Sequence, residues 1–478
     1  MELPDLSPAN AEIWLAVASM ALLILGVFLG DRGSRVVTWA SVSALVVAGW
    51  IVWQGADVQM TVAGMFVADR FGAFAKVLIL AGSALSLVLS LGYLAREKLA
   101  RFEFPVLVLL GTLGMMVMVT ANDLISLYVG LELQSLALYV LAAFNRDSVR
   151  STESGLKYFV LGALASGILL YGATLLYGFT GTTSFEGIAQ VLDAQEERSL
   201  GVLFGLVFLV CGLAFKVAAV PFHMWTPDVY EGAPTPVTAF FSLAPKVAAL
   251  ALFIRVMTGP FGGIGADWSG MLALLSGLSM LLGAFAAIGQ RNIKRLMAYS
   301  SIGHAGYALM GLTANSPDGV RGMLLYMAIY VVMNVGAWGV IVSMRRPGGE
   351  LVENIDDLAG MSRTRPMLAF AMAVFLFSLA GIPPLAGFFA KFYVFYAAVY
   401  AGLYTLAIVG VLSTVVGSYY YLRIVKIMYF DEPAPAFEVP DASVRAVVVA
   451  ATVFILFFFL ITAPFVAGAG AAALALFP

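Results

Sequence analysis

Residues 201–221 read GVLFGLVFLVCGLAFKVAAVP. The run is long enough to cross a bilayer. A spanning helix needs about 20 mostly apolar residues, because the hydrocarbon layer is about 30 Å thick and a helix rises 1.5 Å per residue. Two residues set it apart from a plain lipid anchor. Lys216 puts a charge deep in the run, and Pro221 has no N–H to offer the carbonyl of Val217. A freed backbone acceptor is tolerated at membrane depth only where it is buried in protein or faces water. A charge there costs at least about 2.5–3.5 kcal/mol on insertion scales. A proline-broken span that carries a lysine therefore marks an inner helix of a bundle that handles ions.

Reading outward, fourteen such segments emerge, near 11–30, 36–54, 73–94, 104–120, 124–144, 156–178, 201–230, 236–257, 269–289, 293–313, 321–343, 366–399, 402–429 and 446–468. The continuous apolar runs exclude a β-barrel, which would alternate in short stretches. The gaps between spans hold loops and no soluble domain. Composition agrees. Of the 478 residues 62% are hydrophobic and 11% charged, whereas soluble domains average about 25% charged. The expected fold is an all-α polytopic membrane protein. The twelfth span repeats the break of the seventh, with Pro383-Pro384 followed seven residues later by Lys391, and the eighth carries Pro245-Lys246. Four intact spans separate the two broken ones, which suggests five-helix units over 104–257 and 258–430. Five is odd, so the units would be inverted repeats. Three helices over 1–103 precede them and a fourteenth over 431–478 follows. Gly155-Leu156-Lys157 against Gly319-Val320-Arg321, and Tyr128 with Glu132 against Tyr299 with His304, are faint echoes of that repeat.

The charge balance, 26 Lys and Arg against 28 Asp and Glu, leaves no basic field for nucleic acid. A single cysteine, Cys211, excludes an intrachain disulfide, a thiolate zinc site or an iron–sulfur cluster, and the two histidines leave little to ligate haem. No cofactor or metal is expected in this chain. Seventeen of the 26 cations fall in the loops after spans 1, 3, 5, 9, 11 and 13. The opposite side has four, Arg70, Arg198, Arg255 and Arg321. The positive-inside rule then puts both termini on the outer face. The acidic start, Met1-Glu2-Leu3-Pro4-Asp5, lacks the positive region of a cleaved signal peptide.

Glu132, Lys216, Lys246 and Lys391 have apolar sequence on both sides. Intramembrane ionisable groups read as ion or proton pathways. The plainer alternative, a buried pair that holds helices together, would account for one Lys–Glu pair but not three lysines against one acid. Lys76 and Lys157 lie near span ends, where snorkelling to the interface is the plainer reading. Lys157 is kept as a secondary candidate, as is His304, which shares a helix face with Ser300 and Tyr307 and reads either as a relay or as hydrogen-bonded filler. Tyr128, Glu132, Ser135 and Tyr139 form one stripe of the fifth span, opposite Leu124, Leu131 and Leu138, so the carboxylate is expected to face a polar seam. His223, within Pro221-Phe222-His223-Met224-Trp225-Thr226-Pro227, reads as loop structure.

The stretch from Lys216 through Pro227-Asp228-Val229-Tyr230-Glu231-Gly232-Ala233-Pro234-Thr235-Pro236 to Lys246 closely resembles one family. It is similar to subunit N of the bacterial proton-pumping NADH:quinone oxidoreductase, respiratory complex I. Gly381-Ile382-Pro383-Pro384 with Lys391, and Gly155-Leu156-Lys157-Tyr158-Phe159, fit as well. The resemblance implies the fold of Mrp-type antiporter subunits, with fourteen helices, two inverted repeats, and breaks in helices 7 and 12. It implies a charged pair in Glu132 and Lys216, a central Lys246 and a terminal Lys391, which together translocate protons. Flavin and iron–sulfur clusters would sit in partner subunits. The partners would be other membrane-arm subunits, neighbouring antiporter-like ones included, in the bacterial inner membrane. Lys391 stands where the related subunit M has Glu, and a chain ending just after span 14 lacks the lateral helix of subunit L. A subunit of a Mrp-type cation/proton antiporter, a plastid-type homologue and a purely structural scaffold are the competing readings.

Overall fold

A computed structural model of the chain describes residues 5–55, 59–194, 199–349 and 351–477. The expected spans are all there. Spans 1 to 6 are single helices: α1 (Asn10–Leu29), α2 (Ser34–Gln54), α3 (Arg70–Arg96), α4 (Glu103–Val119), α5 (Leu124–Ala142) and α6 (Val149–Thr180). A short helix, α7 (Phe185–Asp193), precedes the broken seventh span, α8 (Leu200–Val217) and α9 (Trp225–Gly232). The eighth is also in two pieces, α10 (Thr235–Ser242) and α11 (Ala244–Thr258). Then come α12 (Gly265–Ile288), α13 (Ile293–Thr313), α14 (Pro317–Val342) and the single turn α15 (Met361–Thr364). The broken twelfth span is α16 (Pro366–Ala380) and α17 (Ala386–Tyr400), followed by α18 (Tyr404–Phe430) and α19 (Ala442–Leu474).

Side chains with short polar arms start these helices where the loops end. Asp69, Asp123, Ser148, Asn292 and Ser316 each accept a backbone N–H in the first turn that follows. Such caps satisfy donors that a helix start leaves without partners. Helices α10, α11, α13 and α14 form the enclosed centre, and α1, α2, α6 and α18 show large apolar side chains outward. Glycine lets the partners of two packed pairs meet at backbone distance. A Cβ on Gly114 of α4 would lie 2.4 Å from the amide of Gln134 on α5, and one on Gly283 of α12 would lie 2.6 Å from that of Gly303 on α13. Small residues of this kind govern helix packing in lipid, where apolar side chains gain nothing by leaving the solvent.

Spans 7 and 12 stop in the same way. The amide of Ala218 bonds back to the Phe215 carbonyl and that of Ala219 to Ala214, at 3.1 and 2.9 Å. The amides of Gly381 and Ile382 bond back to Ser378 and Phe377, at 2.9 and 3.0 Å. Both ends are Schellman caps turned by a left-handed residue, Ala218 at φ +60° and Gly381 at φ +90°. The peptide bonds that follow, Val220–Pro221 and Pro383–Pro384, are cis.

Several details differ from the sequence reading. The segment 179–200, expected to be a loop, contains α7, an amphipathic helix too short to show as a span. A small antiparallel hairpin, Gln59–Thr61 with Phe66–Ala68, occupies part of the loop near 55–72. Pro245 marks a true interruption of span 8, with Leu243 at φ −107°, ψ −96°. Helix α19 is kinked at Ile461, three residues before Pro464. Met1 to Pro4 and Arg198 lie outside the described residues. Lys76 does not snorkel. It is buried and meets Glu12 of α1 at 2.5 Å. Asp69 and Arg255 form a second enclosed pair, with Nη1 and Nη2 at 2.9 and 2.8 Å from the two carboxylate oxygens, while Nε donates to the Val119 carbonyl at 2.6 Å.

The Lys76–Glu12 pair yields a test of the fold. Glu12→Leu or Lys76→Met alone strands a buried charge, at a cost of about 3–5 kcal/mol, whereas removing both restores an apolar contact. Each single variant should accumulate poorly and unfold at lower temperature, and the double variant should recover most of both, as read from membrane abundance and thermal denaturation in detergent. Equal losses in all three would show that the pair carries no such coupling.

Candidate functional site

The site grows from the two helix breaks. Each proline sits four residues after a carbonyl that would have bonded to its missing N–H: Pro221 after Val217, and Pro384 after Ala380. In both cases a buried lysine takes the freed oxygen. Lys246, in the first turn of α11, donates to the Val217 carbonyl at 2.8 Å. Lys391, in α17, donates to the Ala380 carbonyl at 3.0 Å. These carbonyls end the half-helices α8 and α16, where the aligned peptide dipoles present partial negative charge to a cation. Gly381 serves twice here. It adopts the left-handed conformation, and a Cβ on it would lie 3.0 Å from Lys391 Cδ. The Lys391 ammonium also stands over the Tyr307 ring, 4.8 Å from its centroid.

Lys216 is the neighbour of Val217, and its side chain leaves the break on the other side. Its ammonium donates to Ser135 Oγ at 2.7 Å. Glu132, one turn before Ser135 on α5, accepts from Ser166 of α6. Glu132 and Lys216, the expected charged pair, therefore make no direct contact within ion-pair distance among the described residues. The two charges face each other through the hydroxyl side of the α5 stripe. That stripe also differs from expectation in what lies opposite. Leu124, Leu131 and Leu138 are buried, and the outward face of α5 is Ile125, Val129, Leu136 and Val140. Glu132 sits half-buried between the two.

His304 of α13 lies between the two carbonyl-bound lysines. Its Nδ1 is 2.5 Å from the Tyr326 hydroxyl and its Nε2 is 3.1 Å from that of Tyr421. Tyr421 also reaches Ser300 Oγ at 2.5 Å. A small pocket on one side of the imidazole is lined by Lys246, Ser301, Tyr326 and Tyr330. Another on the far side is lined by Ser300, Tyr307, Lys391 and Tyr421. Each has room for roughly one water molecule and the polar groups to hold it. The row Glu132, Lys216, Lys246, His304, Lys391 thus runs through the bundle, with hydroxyls, a carbonyl or a small pocket between neighbours. An imidazole bonded at both nitrogens can receive a proton on one and release one from the other.

Lys157 stands apart from this row. Its ammonium meets Glu153 and Asp228 at 2.8 and 2.9 Å, at the rim of the bundle. There it joins a network in which Arg295 holds Asp228 and Glu231, Arg150 holds Glu231 and Glu353, and Lys294 holds Glu353. Burial pushes the Glu353 carboxyl up, but Lys294 and Arg150 together hold it below its usual value. His223 lies in the bend after α8, where its carbonyl accepts from Thr226. Ser166, Tyr326 and Tyr421 were not singled out by sequence. Tyr326 and Tyr330 at i, i+4 on α14 are the signal that marks a polar face there.

Comparison with known proteins gives this architecture relatives. The profile of the NADH:quinone oxidoreductase/Mrp antiporter transmembrane family matches residues 121–417. The NADH-quinone oxidoreductase subunit N of Paramagnetospirillum magneticum is 59% identical over 480 residues, which cover 99% of this chain and 98% of that one. A chain in the structure of respiratory complex I from Thermus thermophilus superposes with TM-score 0.84 at 33% identity, over 96% of this chain and 99% of its own. A chain of the Mrp complex from Dietzia sp. superposes with TM-score 0.85 at 24% identity, over 98% and 97%, and shares the fold.

With two histidines in the chain, imidazole nitrogen NMR can test the His304 contacts, using His223→Gln for assignment. Tyr421→Phe should shift the Nε2 signal of His304 and leave that of His223 in place. An unmoved His304 signal would mean that the imidazole does not use this hydroxyl.

Proposed function

Because the chain belongs to the NADH:quinone oxidoreductase/Mrp antiporter family, and within it to the subunit N members of NADH-quinone oxidoreductase, we propose that its row of buried lysines carries protons across the membrane. The chain is an antiporter-like membrane subunit of that proton-translocating oxidoreductase. The observation that carries the proposal is the pair of lysines docked on carbonyls released by proline, with His304 and its two tyrosines between them. In a plain structural bundle those carbonyls would be satisfied within the helices and the lysines would be apolar.

The geometry supports a role for each group. On the Glu132 side, a proton held by Lys216 is stabilised by the carboxylate and by Ser135. Val217, next in the chain, ties the position of Lys216 to the donor that Lys246 offers its carbonyl. A change in the break that moves one lysine therefore moves the partner of the other. From Lys246 a proton can pass by the pocket to His304 and leave on the far side toward Lys391. Lys157 and its acidic neighbours sit at the rim, where they can gather or release protons. Electrons move from NADH to quinone in partner subunits, which on this reading hold the flavin and iron–sulfur groups. Redox energy reaches this chain as a conformational or electrostatic change delivered by adjoining membrane-arm subunits.

Both termini face the outside of the bacterial inner membrane, supported by the seventeen-to-four cation asymmetry between loops. Residues 104–257 and 258–430 are inverted repeats, supported by the matched Schellman ends of their fourth spans and the matched glycine contacts of their first two.

Two experiments address these points. In the assembled complex, Lys246→Met and Lys391→Met should each lower proton pumping and coupled quinone reduction about tenfold or more, as loss of a positioned proton carrier does. Blue-native gels establish assembly, and reduction of a soluble acceptor by NADH should stay intact. Normal pumping by an assembled variant would overturn the role of that lysine. Tags at both termini should be cut by protease added to intact spheroplasts, and protection of both would reverse the orientation.

A further inference from the structure

An open cavity of about 550 Å³ lies between the first half of α16 and the first half of α19. This is within the range of small-ligand sites, about 300–1,000 Å³. Its walls are apolar and face outward from the bundle. Met367 and Phe370 on one side, and Val449 and Val453 on the other, are all exposed. One end of the groove is different. Arg365, at the start of α16, and Arg445, in the first turn of α19, line it together with Thr364.

Among the described residues no carboxylate pairs with either guanidinium. Arg365 donates Nε and Nη2 to the Phe437 carbonyl, at 2.9 and 2.7 Å, which fixes its plane and leaves Nη1 free. Arg445 has no carboxylate within ion-pair distance among the described residues. The nearest acids in sequence, Glu438 and Asp441, are both engaged by Arg96. Two cations without a carboxylate partner among the described residues thus stand at the end of an apolar groove that opens outward from the bundle. The loops that hold them, after spans 11 and 13, lie on the cation-rich side of the protein.

We propose that this groove binds one anionic phospholipid of the leaflet on that side, with its phosphate on Arg365 and Arg445 and an acyl chain along α16 and α19. The chemistry is complementary at both ends. Arginine suits phosphate through paired, charge-assisted hydrogen bonds, and basic sites beside spans on the cytoplasmic side favour anionic headgroups. The chain also covers the outward apolar side chains of α16. That half-helix ends at Ala380, the carbonyl that holds Lys391. Lipid occupancy therefore braces the outer wall of the second break.

The test uses the intact complex in phosphatidylcholine nanodiscs, with a photoactivatable phosphatidylglycerol that carries a diazirine on its acyl chain. Mass spectrometry locates the labelled peptides. The proposal expects labelling on residues 366–371 and 448–456, competed by phosphatidylglycerol and not by phosphatidylcholine. Arg365→Gln with Arg445→Gln should reduce it about tenfold or more, and Arg445→Lys alone far less. Thr452→Trp fills the groove while keeping both arginines, and should abolish labelling in a complex that still assembles. Equal labelling by a phosphatidylcholine probe, or labelling that survives the double variant, would overturn the proposal. So would crosslinks from these residues to another subunit with no lipid adduct, which would make the groove a protein contact.

Discussion

The constraint on which the rest depends is a backbone carbonyl with no amide to bond. Inside a membrane every such group must find a donor in the protein or in enclosed water, and each one left without costs several kcal/mol. Pro221 and Pro384 withhold the amides that would complete the helices at Val217 and Ala380. Lys246 and Lys391 supply the donors from elsewhere in the bundle. Each party answers the other's difficulty. The ammonium gains an acceptor at the negative end of a half-helix, and the carbonyl gains a charged donor. The lysines are held where they are because the helices are broken, and the breaks are stable because the lysines are there.

A shared joint also explains how the parts act together. Lys216 and Val217 are consecutive, so the side chain of one reaches Ser135 while the carbonyl of the other holds Lys246. Small changes in the cap at Ala218 reach both lysines at once. His304 extends the row because its two nitrogens already have hydroxyl partners on different helices, Tyr326 on α14 and Tyr421 on α18. The enclosed pairs Lys76–Glu12 and Arg255–Asp69 do something else. They tie α3 to α1 and to the end of α11, and so set the frame around span 8.

Much of this was legible in the sequence, for a physical reason. A lysine or a proline inside an apolar run is costly, so the broken spans and the four central charges stand out without any partner in view. Even the freed Val217 carbonyl follows from the position of Pro221. Its donor does not, because Lys246 lies 29 residues away and only packing brings it there. The same limit explains Lys76. Nearness to a span end suggests snorkelling, and only the placement of α1 puts Glu12 beside it. On α5 the polar stripe was visible. Which leucines face lipid depends on α4 and α6, so the outward face fell on Ile125, Val129, Leu136 and Val140 instead. Ser166 and Tyr421 each share a helix with several other hydroxyls, so nothing marks them out until the neighbours they serve are known.

The most direct test of the central claim is a cryo-EM map of the assembled complex in lipid, fine enough to resolve ordered water. Lys246 and Lys391 should lie within about 3 Å of the Val217 and Ala380 carbonyls, with water in the pockets on both sides of His304. Lysines turned away from those carbonyls, with the oxygens bonded to backbone amides and the pockets filled by apolar side chains, would contradict the account.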